Sequence, residues 1–156
     1  MAGMNGHLTS SARDRFIEQM GLISQADGAP RIAGRIFGLL LVAGRPMTLQ
    51  EIAERLRISK ASASTNARLL AGRDILRRTA QPGDRQDFYE LTSDKEYRFL
   101  DAIAEKMSRS AAMVQEVAEQ VAEEDRSAGE RVLRLAEFYK RSAAFVSEWS
   151  QRIKGA

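Results

Sequence analysis

The feature that most constrains this 156-residue chain is a pair of helix-start signals set eleven residues apart. Thr48-Leu49-Gln50-Glu51 has the capping-box form, in which a Thr hydroxyl accepts from an amide in the first turn and a Glu reaches back to the Thr amide. A helix therefore begins at Thr48. Its apolar residues Leu49, Ile52, Ala53 and Leu56 recur at helical spacing, the pattern breaks at Arg57-Ile58, and Ser59, a good N-cap, opens a second helix. Two helices joined by so short a turn predict a helix-turn-helix.

In the second helix Ala63, Ala67 and Leu70 form the inward face, leaving Ala61, Thr65 and Arg68 outward, with Ser62 and Ser64 flanking them and Lys60 in the first turn. That exposed surface is hydroxyl-rich and basic and holds no carboxylate, a composition suited to a major groove. Hydroxyls bond base edges and phosphates, and Arg can bond guanine bidentately. Asn66 lies nearer the packed side and is read as a backbone partner. Beyond the helix, Leu76 to Thr79 and Asp87 to Leu91 read as strands, and the Pro82-Gly83 pair between them is a strong turn signal. The hairpin reads as the wing of a winged helix, with Arg77 and Arg78 on its first strand and Arg85 near its tip.

The flanks read as helices. Residues 1–9 carry Gly3 and Gly6 without periodicity and are expected to be disordered. A helix then starts near Ser10 or Ser11, carries a Phe16, Met20, Ile23 stripe with Ile17 beside it and ends near Asp27-Gly28. It needs a partner, either the rest of the chain or a second copy. Pro30 suits the first turn of a helix running to about Ala43, where Gly34 and Gly38 permit close helix approach. Met47 forms a strand of one or two residues. After Thr92, Ser93 and Glu96 form a second capping box, and Leu100, Ala104, Met107, Ala111, Val114, Ala118 and Val121 make a seam resembling a coiled coil. A third box, Ser127 with Glu130, opens a last helix with Leu135, Phe138, Ser142, Phe145, Trp149 and Ile153 on one stripe. Helices so long and so apolar on one face are expected to pair between subunits.

Charge is distributed unevenly. Residues 31–91 carry 11 basic and 6 acidic side chains (+5), residues 92–156 carry 11 and 12 (−1), and residues 1–30 carry 2 and 3 (−1). Phosphate neutralisation by Lys and Arg is the main sequence-independent source of DNA affinity. Without Cys there is no disulfide, thiolate or Cys-ligated zinc, and the single His7 gives imidazole chemistry almost nothing to work with. No Gly-rich loop with Lys-Ser/Thr and no carboxylate pair in a plausible pocket is present, so an enzyme is not expected. Glu123, Glu124 and Asp125 read as a solvated junction rather than a metal site. The apolar run Ile36 to Ala43 has eight residues, far short of a membrane span, and reads as a buried helix. No signal peptide is visible, so a cytoplasmic protein is expected.

With the wing in place, the sequence resembles the MarR family of winged-helix transcriptional regulators. The resemblance rests on Ser59-Lys60-Ala61-Ser62-Ala63-Ser64, on Asp84-Arg85 at the wing, and on Leu91-Thr92 before the long helix. Within that family, Gly28-Ala29-Pro30-Arg31-Ile32-Ala33-Gly34-Arg35-Ile36-Phe37-Gly38 is similar to the branch named for the glycine-betaine synthesis regulator. The resemblance implies a mainly α fold, with a helical dimerisation region made by the N- and C-terminal helices. It also implies a homodimer in which Arg85 enters a minor groove, steadied by Asp84.

The chain is accordingly divided into a disordered 1–9, an N-terminal dimerisation helix 10–29, a winged helix-turn-helix 30–92 and C-terminal dimerisation helices 93–156. The expected contacts to double-stranded DNA are Lys60, Ser62, Ser64, Thr65, Arg68, Arg78 and Arg85, with Asp84 as wing support. No cofactor and no membrane contact are expected. The expected role is that of a repressor at a pseudo-palindromic operator, released by a small-molecule effector, because a chain without Cys has no thiol switch. Phe138, Tyr139, Phe145 and Trp149 read as dimer core, with a pocket for a cationic betaine-like effector as the alternative. The rival to DNA binding is a winged helix that docks a protein partner.

Overall fold

A computed structural model describes residues 10–155; the expectation for residues 1–9 lies outside them. The chain forms two compact units, one ending at Ser93 and the other beginning at Asp94. The elements are α1 (Ala12–Ala26), α2 (Arg31–Ala43), β1 (Met47–Thr48), α3 (Leu49–Leu56), α4 (Lys60–Gly72), β2 (Leu76–Ala80), β3 (Asp87–Leu91), α5 (Lys95–Glu124) and α6 (Arg126–Lys154). This is a mainly helical winged helix-turn-helix.

In the first unit α2 is the central element. Seven of its residues, Ala33, Gly34, Ile36, Phe37, Gly38, Leu39 and Leu40, are buried. They meet α1 on one side, and α3, α4 and β3 elsewhere. Burying each of Ile36, Leu39, Ile52, Ile75 and Leu76 contributes about 1.5–3 kcal/mol, and together they make the core of the unit. The α1 helix begins with a capping box of Ser11 and Asp14 and packs along α2 of its own chain. Its packed face holds Met20 of the expected stripe but is centred on Ile17 and Gly21, both buried, while Ile23 and Leu22 are exposed. The cause is Gly34 and Gly38. A Cβ on Gly34 would collide with the Met20 carbonyl, and one on Gly38 would come within 3.2 Å of Ile17 Cα, so the helices meet backbone to backbone. Pro30 stands at the N-cap of α2, one residue ahead of its first turn.

The sheet is antiparallel in the order β1-β3-β2, with Met47 opposite Tyr89 and Leu76 opposite Leu91. Thr92 closes the hairpin base, its amide donating to the Ile75 carbonyl at 3.0 Å and its hydroxyl to the Asp74 carbonyl at 2.8 Å.

The second unit is an antiparallel hairpin of α5 and α6, joined at Asp125. Neither capping box expected here forms. Asp94, one residue after Ser93, is the N-cap of α5, and Asp125, two residues before Ser127, caps α6 by accepting from the Ala128 amide at 3.1 Å. Asp caps as well as Ser, and Asp125 starts α6 before Ser127 is reached, whereas α5 starts one residue later than a cap at Ser93 would place it.

The contact between the two helices is made of small residues. On α6, Gly129, Ala136, Ala143 and Ser150 are buried at intervals of seven; on α5, Ala104 and Ala118 are buried. A Cβ on Gly129 would collide with Cβ of Ala122, so the helix axes approach closely. The α5 seam packs on α6 of its own chain, while Leu135, Phe138, Phe145 and Trp149 of the expected α6 stripe stay exposed.

That exposed set has a definite direction. Leu135, Phe138, Phe145 and Trp149 each precede by one residue a position facing α5; Phe99, Ile103, Met113 and Val117 do the same on α5 relative to α6. One step back along a helix turns about 100° around its axis, and in an antiparallel pair the two turns bring both sets to the same side. One side of the hairpin is thus an apolar strip, with Met113 70%, Phe145 69% and Phe138 63% exposed. Among the described residues no helix is long and apolar enough to cross a membrane.

Candidate nucleic-acid interface

The α3–α4 pair is held at both starts and at its turn. Thr48 accepts from the Glu51 amide at 3.2 Å and Glu51 accepts from the Thr48 amide at 2.9 Å, completing the capping box. The Thr48 amide, and after it the Arg45 guanidinium at 3.0 Å, hold the Glu51 carboxyl below its ordinary pKa. Arg57 takes the left-handed conformation (φ 54°) that ends α3, and the Ile58 amide returns to the Ala53 carbonyl at 3.0 Å. Ser59 then accepts from the Ser62 amide at 3.0 Å and starts α4.

On α4 Ala63 and Ala67 are fully buried and Leu70 nearly so, as their spacing requires. Asn66 is buried too and donates to the Ser62 carbonyl at 2.9 Å, which removes it from the outward face. Lys60, Ala61, Thr65 and Arg68 are exposed, with Ser62 and Ser64 half-buried at the edges. Among the described residues, no side-chain hydrogen bond or ion pair within the chain engages Lys60, the hydroxyls of Ser62, Ser64 and Thr65, or Arg68. Their polar groups are free to meet an external partner.

The wing tip is shaped by its turn. Pro82 and Gly83 (φ 82°) occupy the middle of a turn closed by the Asp84 amide on the Gln81 carbonyl at 3.1 Å, the pattern of a type II turn. Asp84 Oδ1 accepts from the Gln86 amide at 2.9 Å. Its support for Arg85 therefore runs through the backbone on both sides of that residue. Arg85 is exposed and has no ion pair among the described residues. Arg77 and Arg78 differ from it. Arg77 pairs with Glu90 at 2.6 Å, directly across the strands, and Arg78 with Asp87 at 3.5 Å. Exposed pairs of this kind contribute little and open readily, but Arg78 meets a phosphate only in competition with Asp87.

Arg57, in the turn, and Arg73, just past α4, are exposed cations without an ion pair among the described residues, and the helical pattern did not single them out. Both sit where the periodicity stops. A shallow groove of about 630 Å³ separates the start of α3 from the wing; Glu51, Glu54 and Asp84 line it, which makes it unfavourable for phosphate. A second groove of about 510 Å³ lies on the α5–α6 hairpin beside Asp101, Glu105 and Arg109. None of the four aromatics proposed for an effector pocket lines either groove. Phe138 and Tyr139 instead meet edge to face, ring centres 5.9 Å apart, on the surface of α6.

A helix-turn-helix with a hydroxyl-and-basic outward face, flanked by a hairpin bearing an unpaired Arg, defines the winged-helix class. Residues 27–87 match the MarR family. The matched segment carries the helix-turn-helix and the wing up to Asp87.

Among proteins of similar sequence, YvaV of Bacillus subtilis strain 168 is 31% identical over 93 residues, covering 60% of this chain and 52% of YvaV. The HTH-type transcriptional regulator MmpR5 of Mycobacterium tuberculosis is 38% identical over 77 residues, 49% of this chain and 47% of that protein. The HTH-type transcriptional repressor OpcR of B. subtilis is 28% identical over 93 residues, 60% and 50% of the two chains. The chain spans about half the length of these relatives. A crystal structure described as that of a transcriptional regulator superposes with a TM-score of 0.79 at 23% identity, covering 94% of this chain and all of the other, and bears out the fold.

Proposed function

We propose that the protein is a cytoplasmic, homodimeric transcription regulator that binds a pseudo-palindromic operator and represses by blocking polymerase access. The observation that carries the reading is the α4 face: Lys60, Ser62, Ser64, Thr65 and Arg68 present donors that nothing in the chain consumes, on a helix without a carboxylate. Arg85 extends each copy toward the neighbouring minor groove, where a narrow A·T-rich stretch attracts Arg. Arg78 contributes after exchanging Asp87 for a phosphate. A second copy is supported by the apolar strip of the α5–α6 hairpin, since Phe99, Ile103, Met113, Val117, Leu135, Phe138, Phe145 and Trp149 together exceed the scattered apolar exposure of an ordinary monomer. Apposed strips would form a four-helix core. The motif 28–38, whose Gly34 and Gly38 seat α1, supports assignment to the branch named for the glycine-betaine synthesis regulator. Release would follow from a small-molecule effector that alters the spacing of the two recognition helices.

Selection from random duplexes tests the reading. The expected product is a two-fold sequence with half-site centres about 34 Å, or one helical turn, apart. Absence of any enriched duplex would point instead to a winged helix that docks a protein.

A further inference from the structure

The Arg35 side chain of α2 spans three helices. Its Nε donates to Glu18 Oε1 of α1 at 2.7 Å, and its Nη2 donates to the Leu56 carbonyl at the end of α3 at 3.0 Å. Glu18 Oε2 accepts in turn from Arg31 at 3.0 Å. The stem of Arg35 is accommodated by Gly21, one turn along α1 from Glu18, where a Cβ would come within 2.8 Å of Arg35 Cγ. The Leu56 carbonyl is one of the last four of α3, which have no partner inside their own helix. The turn itself satisfies two others, since Ala53 accepts from the Ile58 amide and Glu54 from the Arg57 amide. The Leu56 carbonyl belongs to the peptide plane leading into Arg57, so its direction sets the course of the turn that delivers Ser59 and α4.

We propose that Arg35 is a positioning residue for DNA binding, a guanidinium link through which the placement of α1 sets the turn before the recognition helix. The proposal rests on the DNA-binding reading above and adds a route by which a change at α1 reaches α4. A planar fork is required: Nε answers to Glu18 and Nη2 of the same rigid group to Leu56, so displacing Glu18 redirects the group that holds the turn. Lys, with a single ammonium on a flexible stem, cannot hold both acceptors in fixed geometry. The pair of arginines in the 28–38 motif thereby acquires separate roles, Arg31 anchoring Glu18 and Arg35 relaying it.

Two measurements on the full chain test the link. In hydrogen–deuterium exchange of the free protein, Arg35→Lys and Glu18→Ala are expected to speed exchange of amides 57–62 roughly tenfold, the size of one charge-assisted hydrogen bond, leaving α6 unchanged. Duplex affinity of folded Arg35→Lys should fall about tenfold with an unchanged salt dependence, because no phosphate contact is lost. Unchanged exchange at 57–62 overturns the proposal, as does an affinity loss accompanied by a shallower salt slope, which would make Arg35 a phosphate contact. If the unmodified protein binds no duplex, the DNA reading fails on its own, and the exchange data still decide whether the link holds the turn.

Discussion

The Ser150 hydroxyl, fully buried on α6, donates at 2.8 Å to Asp101 Oδ1 on α5, whose other oxygen holds the Lys154 ammonium at 2.7 Å. This cluster pins the start of α5 to the end of α6. Asp101→Ala leaves the Ser150 hydroxyl without its partner and is expected to destabilise the protein by about 1–3 kcal/mol in urea unfolding. The same group responds to acid. Lys154 first, and then Ser150, hold the Asp101 carboxyl below its ordinary pKa, against an opposing desolvation. A carboxyl whose folded pKa is depressed contributes stability above its unfolded value, near 3.9, and loses it as pH falls through the folded value. The wild-type melting temperature should therefore fall between pH 5 and pH 2 by more than that of Asp101→Asn. Equal falls would remove Asp101 from the acid response.

Glycine substitutions should separate by position. Gly129→Ala drives a methyl into Ala122 and is expected to cost about 1–3 kcal/mol despite Ala's better helix propensity. Gly72→Ala, at the end of α4, meets nothing within 4 Å and has no positive φ, so it should be neutral or stabilise by up to about 1 kcal/mol. Urea unfolding of the two variants checks the contrast.

Charge placed on the apolar strip should dissociate the proposed dimer without harming the hairpin. Phe138 and Phe145 are mostly exposed in one chain, so Phe138→Glu with Phe145→Glu costs little within that chain and much between two. Analytical ultracentrifugation is expected to give a dimer for the wild type and a helical monomer for the variant. A dimer that persists in the variant would place the interface elsewhere.

The first unit was largely legible in the sequence because local rules agree there. Thr48 with Glu51, Ser59, and Pro82-Gly83 each act within a few residues, and the alanine face of α4 follows from spacing alone. The hairpin was harder to read, since α6 carries two stripes about 100° apart. Apolar weight points to Leu135, Phe138, Phe145 and Trp149, whereas close antiparallel packing selects Gly129, Ala136, Ala143 and Ser150, which look inert in a hydropathy pattern. The starts at Asp94 and Asp125 were missed for a related reason: Ser-x-x-Glu occurs readily in a Glu-rich chain, and a neighbouring Asp, one residue after Ser93 and two before Ser127, takes the N-cap position instead. At the interface the outward set on α4 follows from the sequence. The pairing of Arg78 with Asp87, the freedom of Arg85 and the reach of Arg35 to Leu56 depend on tertiary neighbours that no local pattern specifies.

The central claim concerns the unpaired cations on α4 and the wing, and a salt titration of duplex binding tests it most directly. Lys60, Arg68 and Arg85 from two subunits offer six cations, so the logarithm of affinity should fall with the logarithm of salt at a slope of about −5 when all six meet phosphate. Arg68→Ala combined with Arg85→Ala should weaken binding at least about tenfold and flatten that slope, with the melting temperature unchanged. A wild-type protein with no duplex affinity at low salt, or a double variant that binds as tightly and as steeply as the wild type, would contradict the account.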